Sequence, residues 1–191
     1  MNEIKFSIPN ITSNDIKTVG QILKSGWLTH GKYTSFFEEE IKKLTKAKYA
    51  VTVSSCTAGL HLSCLASKFK EGDEVIVPAQ THTATAHAVE YTGAKAIFSD
   101  VEFPSGNMSL NLLKKKISNK TKGVIVVHMA GYSCEMKKIS LFCKKNKIKL
   151  IEDCAHALGT SESGKHVGNF GISGNFSFYP TKQITTGEGG A

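Results

Sequence analysis

The chain has 191 residues, of which 40% are hydrophobic and 21% charged; this ordinary globular usage excludes disordered, collagen-like and coiled-coil classes. At roughly 150 residues per domain it holds one domain or slightly more, enough to bury a core. Twenty-four basic against sixteen acidic residues give a formal charge of +8, and every basic residue is Lys, so bidentate guanidinium reading of guanine or phosphate is excluded. Residues 1 to about 33 read as an arm in which Thr12 or Ser13 caps a helix through Ile16, Val19, Ile22 and Leu23 that Gly26 ends. Trp27 to Gly31 reads as a loop. A second amphipathic helix, with Phe36, Phe37, Ile41 and Leu44 against Glu38, Glu39, Lys42 and Lys43, opens the main unit at 34–191.

From there short β-branched runs recur at Tyr49 to Val53, Glu74 to Val77, Lys95 to Phe98, Gly123 to Val127 and Lys149 to Ile151, with helical patterns near 57–68, 81–92, 109–117 and 135–146. This βαβαβ alternation predicts a three-layer α/β/α fold whose mostly parallel sheet is covered on both faces. Lysine blocks such as Lys114-Lys115-Lys116 read as solvated helix faces, so neither nucleic acid nor membrane is expected as a partner. The opening MNEIKFSIPN lacks the apolar run of an export signal. Five cysteines (Cys56, Cys64, Cys134, Cys143, Cys154) show no CxxC pair and no zinc spacing, which fits reduced thiols in the cytoplasm and no metal. The uncharged stretch Tyr49 to Ser67 is too polar to span a bilayer comfortably.

Ligands of parallel sheets sit beyond the carboxyl ends of the strands. After the first run, Ser54-Ser55-Cys56-Thr57-Ala58-Gly59 opens a helix whose free N–H groups suit a phosphate, a plain helix cap being the competing reading. Cys56 there reads as a packing residue before a low-pKa thiol. His82, after the second run, either lies flat against an aromatic ligand or is a satisfied structural histidine, and His128 to Tyr132 suits a site rim. Asp153 ends an apolar strand, where a carboxylate needs a cationic partner unless it caps a helix; Glu152 faces the other way and receives no role. A Ser/His/Asp hydrolase built on Asp153 and His156 lacks a GxSxG elbow, and GEGG at 187–190 makes no Walker or dinucleotide pattern. Lys182 stands in an uncharged stretch between Thr181 and Gln183, which suits an amine nucleophile, and Ser177 can offer a hydroxyl to a phosphate.

Together these segments resemble the DegT/DnrJ/EryC1/StrS family of pyridoxal-phosphate-dependent sugar aminotransferases, within the aspartate-aminotransferase fold type. The resemblance runs from Gly26-Trp27-Leu28-Thr29 to Ala191, through SSCTAGLHL at 54–62, VPAQTHTATAHAV at 77–89, GAKAIFSDV at 93–101, IEDCAHALGT at 151–160, VGNFG at 167–171 and FSFYPTKQITTGEGG at 176–190. It implies that Lys182 carries the cofactor pyridoxal 5'-phosphate covalently and that Asp153 pairs with its pyridinium nitrogen. Ser177 and the backbone at Thr57 and Ala58 hold the phosphate, His82 stacks on the ring, and His156 lies near the phenolic oxygen or the substrate. It also implies amino transfer from a donor such as glutamate to a nucleotide-linked keto-sugar, in a homodimer. Family members continue well beyond GEGGA, so the chain is expected to be an N-terminal portion whose PLP-binding large domain, at 34–191, lacks its C-terminal part. A truncated or split paralogue that binds cofactor or a partner without turnover is the alternative.

Overall fold

A computed structural model describes Ile4 and residues 7–191. The expectation of no export signal rests partly on Met1 to Glu3, Lys5 and Phe6, which lie outside these residues. Helix α1 (Ser13–Ser25) starts at Thr12, whose hydroxyl accepts from Asp15 N–H while the Asp15 carboxylate accepts from Thr12 N–H, and stops at Gly26 with φ 70°. None of its residues is buried. Helix α2 (Lys32–Thr45) buries Ile41 and Thr45, and its Phe37 meets Phe178 edge-on at 4.9 Å between centroids.

The chain then alternates α3 (Cys56–Ala66), β1 (Glu74–Pro78), α4 (Thr83–Glu90), β2 (Lys95–Ser99), α5 (Leu110–Lys114), β3 (Thr121–Val127), α6 (Met136–Lys145) and β4 (Lys149–Asp153). A two-residue hairpin, β5 (Ser161–Glu162) with β6 (Lys165–His166), precedes β7 (Ser173–Asn175). The main sheet has the order β2-β1-β3-β4-β7, every neighbour parallel. Alternation along the strands sorts the core into two layers. Val75, Val77, Ile125 and Ile151 pack with Leu60 and Cys64 of α3 and Ala88 and Val89 of α4. Ile76, Val124, Val126 and Leu150 pack with Leu113 of α5 and Met136, Ile139 and Cys143 of α6. The expected three-layer α/β/α fold is therefore present. Among the described residues no helix is long and apolar enough to cross a membrane.

One expected strand is not among these. Among the described residues Tyr49 to Val53 is extended without a ladder, and its sole bridge joins Val53 to Gly190. A strand exists by virtue of a paired neighbour, and β-branched residues without one supply only the preference. The fifth sheet strand is instead β7, whose Ser-Gly-Asn sequence carries no such preference. It is held by close approach. A Cβ on Gly174 would lie 2.2 Å from the Cα of Gly168, so glycine at both positions lets the 168–171 loop lie against the strand.

Candidate active site

The carboxyl ends of β1, β3 and β4, the start of α3 and the 177–189 segment enclose a cavity of about 550 Å³ lined by Thr57, His82, Asp153, His156, Ser177 and Lys182. These six come from four separate stretches of the chain, at 57, 82, 153–156 and 177–182, and the fold brings them together. Ala58, the seventh expected residue, does not line it: its N–H donates to the capping Ser55 hydroxyl at 3.1 Å. Among the described residues the N–H groups of Cys56 and Thr57 donate to no protein acceptor, which is the ordinary state of a first helical turn and leaves two donors for an anion.

That turn is fixed from below. Gly190 pairs with Val53 through two backbone bonds of 2.9 Å, and it also bridges Ser177. A Cβ on Gly190 would meet Ser55 C at 2.4 Å and Cys56 N at 2.5 Å. Glycine thus lets the 189–191 segment slide under the α3 start, bringing Ser177 beside it. The Lys182 loop is closed on Phe178, whose N–H donates to Gly189 and whose carbonyl accepts from Thr186 N–H and the Thr185 hydroxyl. Phe178 is fully buried with Ile41, Cys154 and Ala157, so the loop is anchored in the core.

Asp153 is buried and forms no ion pair among the described residues. Its Oδ2 accepts from the Thr85 hydroxyl at 2.7 Å and its Oδ1 from Ala155 N–H at 3.1 Å. The carboxylate is held by neutral donors at the cavity wall, and the local bond from Ala155 N–H, two residues on, is of the capping kind that was the alternative to a cationic partner. His156 is half-buried; its Nδ1 accepts from Ala130 N–H at 3.4 Å, which leaves the proton on Nε2. Burial and the Lys182 charge lower its pKa, with Asp153 opposing them. Cys56 Sγ lies 3.4 Å from the Asn175 carbonyl and 3.9 Å from Asp153 Oδ1. Burial and the Asp153 charge push its thiol pKa well up, which supports the packing reading over a reactive thiolate. His82 caps α4, its Nδ1 accepting from Ala84 N–H at 3.1 Å, and its ring is exposed at the cavity wall. It is therefore a satisfied capping histidine and a lining residue at once.

Glu152, given no role by strand alternation, does face away from the cavity, and it organises the far side of the site. Its completely buried carboxylate accepts from Gly168 N–H at 2.8 Å, from Phe170 and Gly171 N–H at 2.7 Å, and from His128 Nε2 at 3.2 Å. His128 Nδ1 accepts from Cys134 N–H at 3.2 Å, so Nε2 carries the proton and donates to Glu152. The VGNFG motif is thus a backbone nest around one carboxylate. His128, Glu152 and Cys154 present ligand atoms within 4.8 Å of one another, but these hydrogen bonds already occupy the imidazole and the carboxylate.

The family model for DegT/DnrJ/EryC1/StrS aminotransferases matches residues 9–191. The chain belongs to this family. It is 43% identical over 191 residues to the GDP-perosamine synthase of Escherichia coli O157:H7, a match spanning 100% of this chain and 52% of that protein. The fold matches an aminotransferase from Psychrobacter cryohalolentis with a TM-score of 0.94 at 35% identity, over 96% of this chain and 47% of the other. Spr1654 of Streptococcus pneumoniae, solved in its PLP-form, matches with a TM-score of 0.92 at 34% identity, over 99% and 52%. The chain spans about half the length of the curated relatives it matches.

Proposed function

We propose that the chain is the cofactor-binding part of a pyridoxal-phosphate-dependent aminotransferase that moves an amino group from an amino acid, glutamate, to a nucleotide-linked keto-sugar. The observation that carries this reading is Asp153, a buried carboxylate with no cation against it, sharing one cavity with a lysine and a helix start that offers free N–H groups. A ligand with a protonated ring nitrogen, a phosphate and a carbonyl carbon answers all three, and pyridoxal phosphate has each. The name of the perosamine synthase supports a nucleotide-sugar substrate, and the PLP-form of Spr1654 supports the cofactor. Glutamate as donor, a homodimer and a cytoplasmic setting complete the proposal.

In this reading Cys56 and Thr57 N–H and the Ser177 hydroxyl bind the phosphate, and Asp153 keeps a proton on the ring nitrogen. When bound, the cofactor supplies an electron sink for the bond broken at the donor's α-carbon. Lys182 Nζ would hold the cofactor, and as a free amine it would take the proton from the donor's α-carbon. His156, neutral with its proton on Nε2, donates a hydrogen bond into the cavity. His82 covers one face of the ring. The non-catalytic alternative has one observation in its favour, that the chain spans about half the length of its relatives. Borohydride reduction of PLP-loaded protein followed by peptide mapping should place the pyridoxyl group on Lys182. Label on a different lysine would remove Lys182 from its role, and amino transfer absent from a separate, unreduced sample of PLP-loaded protein supplied with donor and keto-sugar would favour the alternative.

A further inference from the structure

Thr85 lies inside α4 and is completely buried. Helical threonines commonly turn the hydroxyl back to the carbonyl one turn earlier, as Thr18 does to Asn14 and Thr45 to Ile41. Thr85 departs from that habit: its Oγ1 donates to Asp153 Oδ2 at 2.7 Å and lies 2.7 Å from Oγ1 of Thr81. Counting protons fixes the direction. The carboxylate offers only lone pairs, each hydroxyl owns one proton, and Thr85 spends its proton on Asp153. Thr81 is then the donor to Thr85, and it presents only lone pairs to the cavity that it lines.

The other carboxylate oxygen is taken by Ala155 N–H at 3.1 Å. Asp153 is gripped on one side by its own strand end and on the other by α4. The torsion that turns a carboxylate about its stem has a broad, two-fold profile, so one grip alone leaves the plane loosely defined. We propose that Thr85, oriented by Thr81, is a positioning residue that fixes the plane of the Asp153 carboxylate at the cavity wall. What the carboxylate then meets rests on the cofactor reading above. The grip itself belongs to the chain alone.

Ala155 N–H reports on that grip because it donates to the same carboxylate. In the cofactor-free chain, Thr85→Val keeps the side-chain shape, and it should raise hydrogen exchange of the Ala155 amide about tenfold while amides of β3 stay protected. Thr85→Ser, which keeps the hydroxyl, should restore protection. Unchanged Ala155 exchange in Thr85→Val, or a loss shared equally by β3, would overturn the proposal. A second arm uses 4′-deoxypyridoxine 5′-phosphate, a ring probe without the aldehyde, followed by absorbance. Thr85→Val should weaken its binding about tenfold, with no further loss in an Asp153→Asn background. An equal loss in that background would mean packing alone and would also overturn the proposal. A wild-type chain with no affinity for the probe counts against the cofactor reading, and the exchange measurement then decides the inference by itself.

Discussion

At the scale of residues, the two carboxylates that end β4 divide the work: Asp153 faces the cavity and Glu152 ties the opposite loops together. Glu152→Gln places an amide NH₂ where three backbone N–H groups and an imidazole N–H converge, so donors confront donors in a dry interior. It should cost about 3 kcal/mol or more in urea unfolding, and a loss under about 1 kcal/mol would show that the nest is dispensable. Asp153 was legible because a charged residue ending an apolar strand is costly wherever the sheet is buried. The role of Glu152 was not, since its partners come from a loop sixteen to nineteen residues on and from another strand end, and alternation reveals only the face. Thr85 was hidden for a similar reason, as its sequence context is that of any helical threonine. His156 makes a pH prediction. Its folded pKa lies below the ordinary 6.5, so between the two values the unfolded chain binds a proton that the folded chain does not. Stability should therefore fall as pH drops through about 6.5 and level off below the folded pKa. His156→Gln should flatten that part of a Tm profile taken between about pH 5 and 8; an unaltered slope would assign the effect to other groups.

At the scale of elements, the parallel sheet and its helices were readable because apolar runs and amphipathic patterns alternate at regular spacing. The exceptions share a cause. Residues 49–53 look like a strand and lack a ladder, whereas Ser173–Asn175 look like a turn and have one, because tight glycine contacts rather than side-chain preference seat β7. The GEGG stretch, uninformative as a nucleotide motif, belongs to the same class: Gly190 is where the chain passes beneath the first turn of α3. Gly190→Ala drives a methyl into the backbone of Ser55 and Cys56, neither of which can yield like a flexible side chain. Overpacking of this kind costs about 1–3 kcal/mol. It should also displace the free N–H groups of that turn, so affinity for inorganic phosphate at the cavity should drop while the far-UV spectrum stays that of the wild type. Wild-type phosphate affinity in Gly190→Ala would show that the α3 start is not the anion site.

At the scale of the whole molecule, the apolar surface is unevenly spent. The sheet is well covered on both faces, yet among the described residues β7 pairs only with β4, and a groove of about 560 Å³ runs between it and residues 47–53. On the arm, Ile16, Val19 and Leu23 recur at helical spacing on α1 and are 66%, 55% and 60% exposed, and Trp27 and Leu28 follow them at 63% and 67%. The sequence pattern announced an amphipathic helix but not what its apolar side would cover, because that information lies in a surface the helix does not touch within one chain. Contiguous apolar patches of this kind are usually covered in solution. If the homodimer proposed above forms through the arm, the chain should self-associate through α1 and the residues after it. Burying one Val or Leu side chain is worth about 1.5–3 kcal/mol, so Val19→Lys or Leu23→Lys should weaken association about tenfold or more. Neither should lower Tm in the monomer, since neither side chain is buried there. Sedimentation velocity over a concentration series separates the outcomes: a wild-type chain that stays monomeric throughout, or lysine variants that associate as tightly as it does, would show that the arm is not where copies meet.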